Sequence, residues 1–385
     1  MGSVFSLGNQ FFSPKDPLII AELGSSHNGD PVRAREMIAA AAEAGAGCVK
    51  FQVVYADEIL HPNTGEVPLP GGKIRLYDRF RQLEAPPQFY AEMKEYAESL
   101  GLLFLCTPFG LKSAALLKKL RPKMVKIASP ELNFTGLLRE IASWNLPVLL
   151  SSGVSKLADI EQALAVLRKG TRRTEAESPG AAGRDDPEPF CLLHCVTSYP
   201  APETDYNLRV LQSLQTVFGV PVGLSDHSLD PELVPVLALG QGASVIEKHF
   251  CLSRADPGLD DPIALPPGLF ARMTRALRRV AQEGAEKTLA EISRERGVEF
   301  VEQVLGKGVK TLAPPEEANY GRTNRSIHAL RDIREGEIIK AGDFAVLRSE
   351  KILRPGLAPS WEPFIAGRKA RNFIPAGEGI RFEDI

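Results

Sequence analysis

The sequence of 385 residues lacks any apolar stretch close to the roughly 18 residues that a membrane-spanning helix needs. It also lacks an excess of charge of either sign, since its formal net charge is −2 and its pI is about 6.4. We therefore expect neither nucleic acid nor a membrane surface as a partner. The segment 1–12 has no basic region followed by an apolar one, so we expect no secretory signal and a cytoplasmic location.

Cysteine is scarce and its number is odd, which argues against a disulfide framework. The five cysteines lie in or beside apolar runs: Cys48, Cys106, Cys191, Cys195 and Cys251. Buried free thiols in a reducing compartment are the simplest interpretation. Cys191 and Cys195 are four residues apart, but no second pair is present to complete a zinc site of four ligands.

Short apolar runs alternate with amphipathic segments through the first 290 residues or so. Eight such runs are found, at 17–23, 47–53, 102–106, 124–128, 147–150, 190–196, 220–224 and 244–246. Eight nearly continuous apolar strands that alternate with helices favour an α/β fold of the closed (β/α)8 TIM-barrel type. An open doubly wound sheet is the alternative, although no GxGxxG motif follows the first strand.

The last 65 residues have a different character. The pattern from Ile333 to Asp343 recurs from Ile374 to Asp384 at a constant offset of 41 residues, which predicts a small pseudo-symmetric β module with glycine turns. We expect a barrel domain over 1–290, a linker over 291–318 and the module over 319–385. Gly170–Glu188 is polar and rich in glycine and proline, so we expect a loop there.

In a barrel of this type, reactive residues follow the carboxyl ends of the strands. Lys50 and Lys126 fall at two of these ends and are flanked by apolar residues. A buried ammonium group is costly unless an anion pairs with it. For Lys50 that anion is either Glu22, in a structural ion pair, or a ligand. Two such lysines beside several serine hydroxyls favour a site for a small phosphorylated acid.

His227 and His249 follow two neighbouring predicted strands. Two imidazoles on adjacent strands are suited to one divalent ion, with water and substrate oxygens at the other positions. Asp226 and Glu247 are candidate partners for the two rings. The alternative is a pair of hydrogen-bonded core histidines with no ligand.

Several strings, taken together, resemble the sialic acid synthase family over nearly the whole chain. They are AELGSSHNG (21–29), VKFQ (49–52), TPF (107–109), KIASPE (126–131), LHCVTSYP (193–200), GLSDH (223–227) and IEKHF (246–250). The C-terminal repeat, with KILRPG at 351–356, resembles the antifreeze-like SAF domain of that family, a small β-rich β-clip fold. The resemblance implies condensation of phosphoenolpyruvate with an N-acylated aldose to a nine-carbon 3-deoxy-2-keto acid, with release of phosphate.

The resemblance also implies roles for individual residues. Phosphoenolpyruvate would be bound by Lys50, Thr107, Lys126, Ser129, Ser151 and Ser225. Manganese or magnesium would be bound by His227 and His249. The active-site carboxylates would be Glu22 and Glu131. The sugar would be contacted by Gln52, Tyr199, Asp260 and, from the partner chain of a domain-swapped homodimer, Arg354.

Four departures from the family pattern lie toward the sugar: Ser26, Thr197, the Asp260-Asp261 pair and the lack of a sugar-binding asparagine near Gly71-Gly72. The sequence therefore predicts the type of reaction more strongly than the identity of the sugar substrate. N-acetylmannosamine is the first candidate, and a legionaminic, pseudaminic or spore-coat sugar precursor is the second. A two-histidine metallohydrolase and a glycan-binding role of the SAF module are alternatives from other classes.

Overall fold

The computed structural model describes residues 4–69, 72–171 and 189–385. Two short strands, β1 (Phe5–Leu7) and β2 (Gln10–Phe12), form an antiparallel hairpin. Eight parallel strands follow: β3 (Leu18–Gly24), β4 (Cys48–Val53), β7 (Leu103–Pro108), β8 (Val125–Ile127), β9 (Val148–Ser151), β10 (Phe190–Cys195), β11 (Val222–Asp226) and β12 (Val245–His249). Each of the eight predicted apolar runs contains or overlaps one of these strands. A second hairpin, β5 (Glu66–Leu69) and β6 (Gly72–Arg75), lies after β4.

The parallel strands pair in the order β7-β4-β3-β12-β11-β10-β9-β8. The two edge strands of this sheet, β7 and β8, lie against each other, so the sheet forms a nearly closed barrel. In the register of the sheet, Glu22 lies beside Lys50 on one side and beside His249 on the other. The predicted (β/α)8 fold is confirmed, and the alternative of an open doubly wound sheet does not apply.

Helices cover the outside of the barrel. They are α1 (Pro31–Glu43), α3 (Pro87–Ser99), α4 (Leu111–Lys119), α5 (Thr135–Ala142), α6 (Leu157–Thr171), α7 (Val210–Phe218), α8 (Leu233–Gly240) and α9 (Pro267–Glu283). Helix α2 (Leu76–Gln82) instead belongs to the connection between β4 and α3, at the carboxyl ends of the strands. Helix α1 begins where the sequence predicts it, because the Asp30 carboxylate accepts hydrogen bonds from the N–H groups of Val32 and Arg33. The predicted loop Gly170–Glu188 lies outside the described residues from 172 onward.

The N-terminal hairpin closes the amino end of the barrel. Phe5 is fully buried and packs with Leu18, Leu105 and Val245 among the residues that point into the barrel. Because this end is filled with side chains, a ligand cavity is left for the carboxyl ends of the strands. The described residues contain no helix that is long and apolar enough to cross a membrane.

Three helices and a small β module follow the barrel. The helices are α10 (Ala285–Arg296), α11 (Val298–Leu305) and α12 (Pro314–Glu317), and the module pairs β13 (Arg325–Ala329) with β14 (Phe344–Arg348). The two halves of the predicted repeat meet where Ile333 bridges to Ile374. In each half an aspartate accepts a backbone N–H three residues before it, Asp343 from Lys340 and Asp384 from Arg381. The predicted pseudo-symmetry is therefore present.

Candidate active site

A cavity of about 730 Å³ opens at the carboxyl ends of the barrel strands. Most of the residues predicted from the sequence line it: Glu22, Lys50, Gln52, Thr107, Lys126, Ser129, Ser151, Tyr199, Ser225, His227, His249 and Asp260. Glu131 and Arg354 are not among the lining residues. The barrel therefore brings together positions that are up to 238 residues apart in the sequence (Glu22 to Asp260).

Two lysines share one carboxylate at the bottom of the cavity. The Nζ atoms of Lys50 and Lys126 lie 3.1 and 3.4 Å from Oε1 of Glu247. That oxygen also accepts a hydrogen bond of 2.9 Å from the Ser225 hydroxyl, and Lys126 donates one of 2.6 Å to the Ser151 hydroxyl. Burial alone would raise the pKa of Glu247, but the two ammonium groups outweigh it and hold the pKa far below its usual range. Glu247 is therefore an anion. Burial would lower the pKa of Lys50, but Glu22 and Glu247 outweigh this effect and raise it. Burial lowers the pKa of Lys126, although Glu247 opposes this effect.

Glu22 is a second carboxylate of this cluster. Its Oε2 lies 2.8 Å from Lys50 Nζ, and its Oε1 accepts a hydrogen bond of 2.8 Å from the Gln52 amide. Burial raises the pKa of Glu22 although Lys50 opposes this effect. The ion pair that we considered for Lys50 is thus present, and it lies inside the cavity, where a ligand can reach it. The Thr107 hydroxyl is buried nearby without a hydrogen-bond partner, as expected for a group that awaits a ligand.

The two predicted metal ligands lie side by side. The ring centroids of His227 and His249 are 5.4 Å apart, and the Tyr199 ring stacks on His227 at 4.3 Å. Nδ1 of His227 donates to the Val196 carbonyl at 2.8 Å, which leaves Nε2 as the free nitrogen. Burial lowers the pKa of His249, so its ring is neutral, as a metal ligand must be. These two imidazoles fit a divalent ion, although the described residues contain no third His, Cys, Asp or Glu that completes a cluster.

The partners that we expected for the two histidines have other roles. Glu247 pairs with the lysines, and Asp226 binds the Lys248 ammonium and the Tyr206 hydroxyl. The Tyr206 hydroxyl in turn accepts the backbone N–H of His227 at 2.7 Å. Asp226 therefore supports the backbone of His227, while the ring is oriented by the Val196 carbonyl.

The upper part of the cavity is polar on one side and apolar on the other. On the polar side, Oδ2 of Asp260 lies 3.9 Å from Nδ1 of His249, close to Tyr199 and Gln52. The apolar wall consists of Val54, Ile59, Ile74, Leu76, Phe80, Leu83, Phe109, Leu259 and Ile263. These residues come mostly from the long connection between β4 and α3. No periodic pattern in the sequence marks this irregular connection as part of the site.

Glu131 is buried against two arginines of the C-terminal module of the same chain. Its Oε1 lies 2.8 Å from Arg325 and 2.7 Å from Arg348. Arg325 is itself only 1% exposed and also donates to the carbonyls of Glu58 and Phe109. Removing one partner of a buried ion pair lowers the free energy of unfolding by about 3–5 kcal/mol. Glu131 therefore anchors the module on the barrel, and its predicted place among the carboxylates of the cavity is not what the structure shows.

Within one chain, the module contributes Arg348 to the cavity, while the action of Arg354 on a partner's site stays a prediction. Arg354 is bound within the module, where it donates to Asp384 at 2.8 Å and to the Gly379 carbonyl at 2.9 Å. Arg348 lines the cavity and lies over the Phe109 ring, and the Cζ atom of its guanidinium group is 5.4 Å from the ring centroid. The sequence does not separate the two, because both follow a leucine near the middle of the same module.

Comparison with known families agrees with the division into a barrel and a C-terminal module. Residues 37–288 match the model of the NeuB family, and residues 324–385 match the model of the SAF domain. The chain belongs to the NeuB family.

Other members of the NeuB family resemble the chain over nearly its whole length. The spore coat polysaccharide biosynthesis protein SpsE of Bacillus subtilis is 32% identical over 100% of this chain and 97% of its own. Its crystal structure covers the whole chain with a TM-score of 0.79. The N,N'-diacetyllegionaminic acid synthase of Legionella pneumophila is 32% identical over 95% of this chain and 94% of its own. A sialic acid synthetase structure from Leptospira borgpetersenii covers 76% of this chain and 97% of its own at 30% identity, with a TM-score of 0.64.

Proposed function

We propose that the chain condenses phosphoenolpyruvate with an N-acylated aldose to form a nine-carbon 3-deoxy-2-keto acid and phosphate. The observation that carries this proposal is the buried pair Lys50 and Lys126 beside the imidazoles His227 and His249 in one cavity. The lysines are suited to a small dianion, and the imidazoles are suited to the ion that activates a carbonyl group. The relatives act as synthases of related sugar acids, which supports the same class of reaction here.

The phosphate of phosphoenolpyruvate would lie between Lys126, Ser151, Ser129 and Thr107, and its carboxylate near Lys50. In the free protein, the Glu247 carboxylate pairs with both lysine ammonium groups. The bound anion would pair with the same two ammonium groups. Since ion pairs and a hydrogen bond already hold both lysine side chains in place, little reorganisation is needed when the substrate enters.

The aldehyde of the open-chain aldose would lie near His227 and His249. A bound Mn²⁺ or Mg²⁺ would polarise the aldehyde oxygen as a Lewis acid. The carbon–carbon bond forms when C3 of phosphoenolpyruvate attacks the aldehyde carbon, and positive character then develops at C2. Glu22 lies within the cavity to stabilise that charge and to accept a proton from the water that adds to C2. Lys126 and the hydroxyls would hold the phosphate as it leaves C2.

N-acetylmannosamine remains the first candidate for the sugar. The apolar wall of the cavity favours a second, a 6-deoxy aldose with two N-acyl groups, because methyl groups gain free energy when such a wall removes them from water. Asp260 and Tyr199 would bind the remaining hydroxyls, and Arg348 would bind an N-acyl carbonyl.

A panel of N-acylated aldoses, each assayed with phosphoenolpyruvate and manganese, tests this proposal. Phosphate release that needs both substrates is the expected result. The sugar with the highest kcat/KM identifies the class of substrate. Phosphate release at the same rate without any aldose would instead support the metallohydrolase.

We also propose a homodimer that exchanges its C-terminal modules, with Arg354 acting on the partner's site. The small size of the module and the long proline-containing connection before it support this arrangement. Within one chain the module packs on its own barrel through Glu131. The same contacts would join the module to a second barrel after exchange.

A further inference from the structure

The connection between the barrel and the module places a buried carboxylate against two loops of the active site. Glu316 of α12 is only 1% exposed. Its Oε1 accepts the backbone N–H groups of Val154 and Thr197, each at 2.7 Å, and its Oε2 accepts that of Ala313 at 3.0 Å. Hydrogen bonds to an ionised acceptor are roughly twice as strong as neutral ones. One side chain thus joins the ends of two barrel strands.

The first of these loops follows β9, whose last residue, Ser151, is one of the hydroxyl side chains proposed for the phosphate site. Val154 has φ of 41°, a left-handed conformation that is costly for a β-branched residue. Glu316 binds its N–H, and the Asn324 amide donates to its carbonyl at 3.0 Å. The adjacent Gly153 N–H donates to the Ser129 hydroxyl at 2.9 Å. Residues after the barrel therefore hold the strained backbone next to Ser129.

The second loop follows β10 and leads to a histidine. The peptide unit that joins Val196 to Thr197 donates its N–H to Glu316 and accepts Nδ1–H of His227 through its carbonyl. A single planar peptide group therefore connects the Glu316 carboxylate to the His227 ring. A movement of this peptide would rotate the imidazole.

We propose that Glu316 is a positioning residue for both halves of the active site. It fixes the loop beside Ser129 and the peptide that orients His227, so the segment after the barrel completes the phosphoenolpyruvate site. This inference rests on the proposed function only for the identity of the ligand. The hydrogen-bonding role can be measured without any substrate.

Amide hydrogen exchange of the full-length protein provides the first test. Glu316→Gln removes the charge at nearly constant shape, and Glu317→Gln, at the exposed neighbouring position, is the matched control. We expect exchange at Val154 and Thr197 to become about tenfold faster or more in Glu316→Gln only, with β12 unchanged. Asn324→Ala is the second variant if Glu316→Gln does not fold, and it should loosen the Val154 loop alone. Unchanged exchange at Val154 in the folded variant would overturn the proposal.

Steady-state kinetics provide the second test. In Glu316→Gln we expect the KM for phosphoenolpyruvate to rise about tenfold, since the Val154 loop lies on the phosphate side. We also expect kcat to fall about tenfold, since the peptide that orients His227 loses its hydrogen bond to the carboxylate. Faster exchange with an unchanged KM for phosphoenolpyruvate would reduce Glu316 to a purely structural residue and overturn the positioning role. A wild-type protein that does not use phosphoenolpyruvate would contradict the proposed function, and the exchange measurement would still decide whether Glu316 holds the loops.

Discussion

At the scale of residues, the electrostatics of the cavity depend on Glu247. One carboxylate oxygen contacts two buried ammonium groups and a serine hydroxyl, so it offsets part of the desolvation penalty of burying the two lysines. The sequence shows both lysines and the glutamate in or directly after apolar runs that are predicted strands. It does not show that they converge, because convergence depends on the relative stagger of β4, β8 and β12.

We predict that Lys126→Met raises the KM for phosphoenolpyruvate much more than the KM for the aldose. The lost charge-assisted hydrogen bond to a buried phosphate is worth about 1.5–3 kcal/mol, roughly a 10- to 150-fold change. Lys123→Met is the control, because Lys123 lies on the surface and pairs only loosely with Glu98 at 3.6 Å. A rise confined to the aldose KM would place the phosphate elsewhere.

At the scale of elements, apolar runs were sufficient to predict the eight barrel strands, because each strand is buried on both faces. The hairpin formed by β1 and β2 was not predicted. Its strands have three residues each, and Phe11 is exposed while Phe5 is buried, which leaves too few positions for a periodic pattern. Helices α10 and α11 extend to Leu305 through part of the segment that we expected to be a linker.

The residues of the candidate site also form two groups, those that could be predicted from the sequence and those that could not. Residues within or at the ends of regular strands, such as Lys50 and His249, could be predicted because the fold class alone points their side chains toward the cavity at one end of the barrel. Arg348 and Glu316 could not, since their positions depend on how the module and α12 pack on the barrel. Glu131 follows a strand as predicted, but tertiary packing turns it toward Arg325.

At the scale of the whole molecule, the C-terminal module contributes Arg348 to the lining of the cavity. We predict that mixing His249→Ala with Arg354→Ala, or with Arg348→Ala, restores activity after co-expression. In an exchanged dimer formed at random from equal amounts, about one quarter of the sites carry neither defect. No recovery in mixed dimers confirmed by mass would show that each module serves its own barrel.

The central claim is that this cavity joins two substrates through a new carbon–carbon bond. The most direct measurement incubates the protein with phosphoenolpyruvate labelled with ¹³C at all three carbons, manganese and the preferred N-acylated aldose. We predict one sugar-acid product that carries all three labelled carbons, formed in equal amount to the released phosphate. Labelled pyruvate formed together with phosphate, with the aldose recovered unchanged, would contradict the claim.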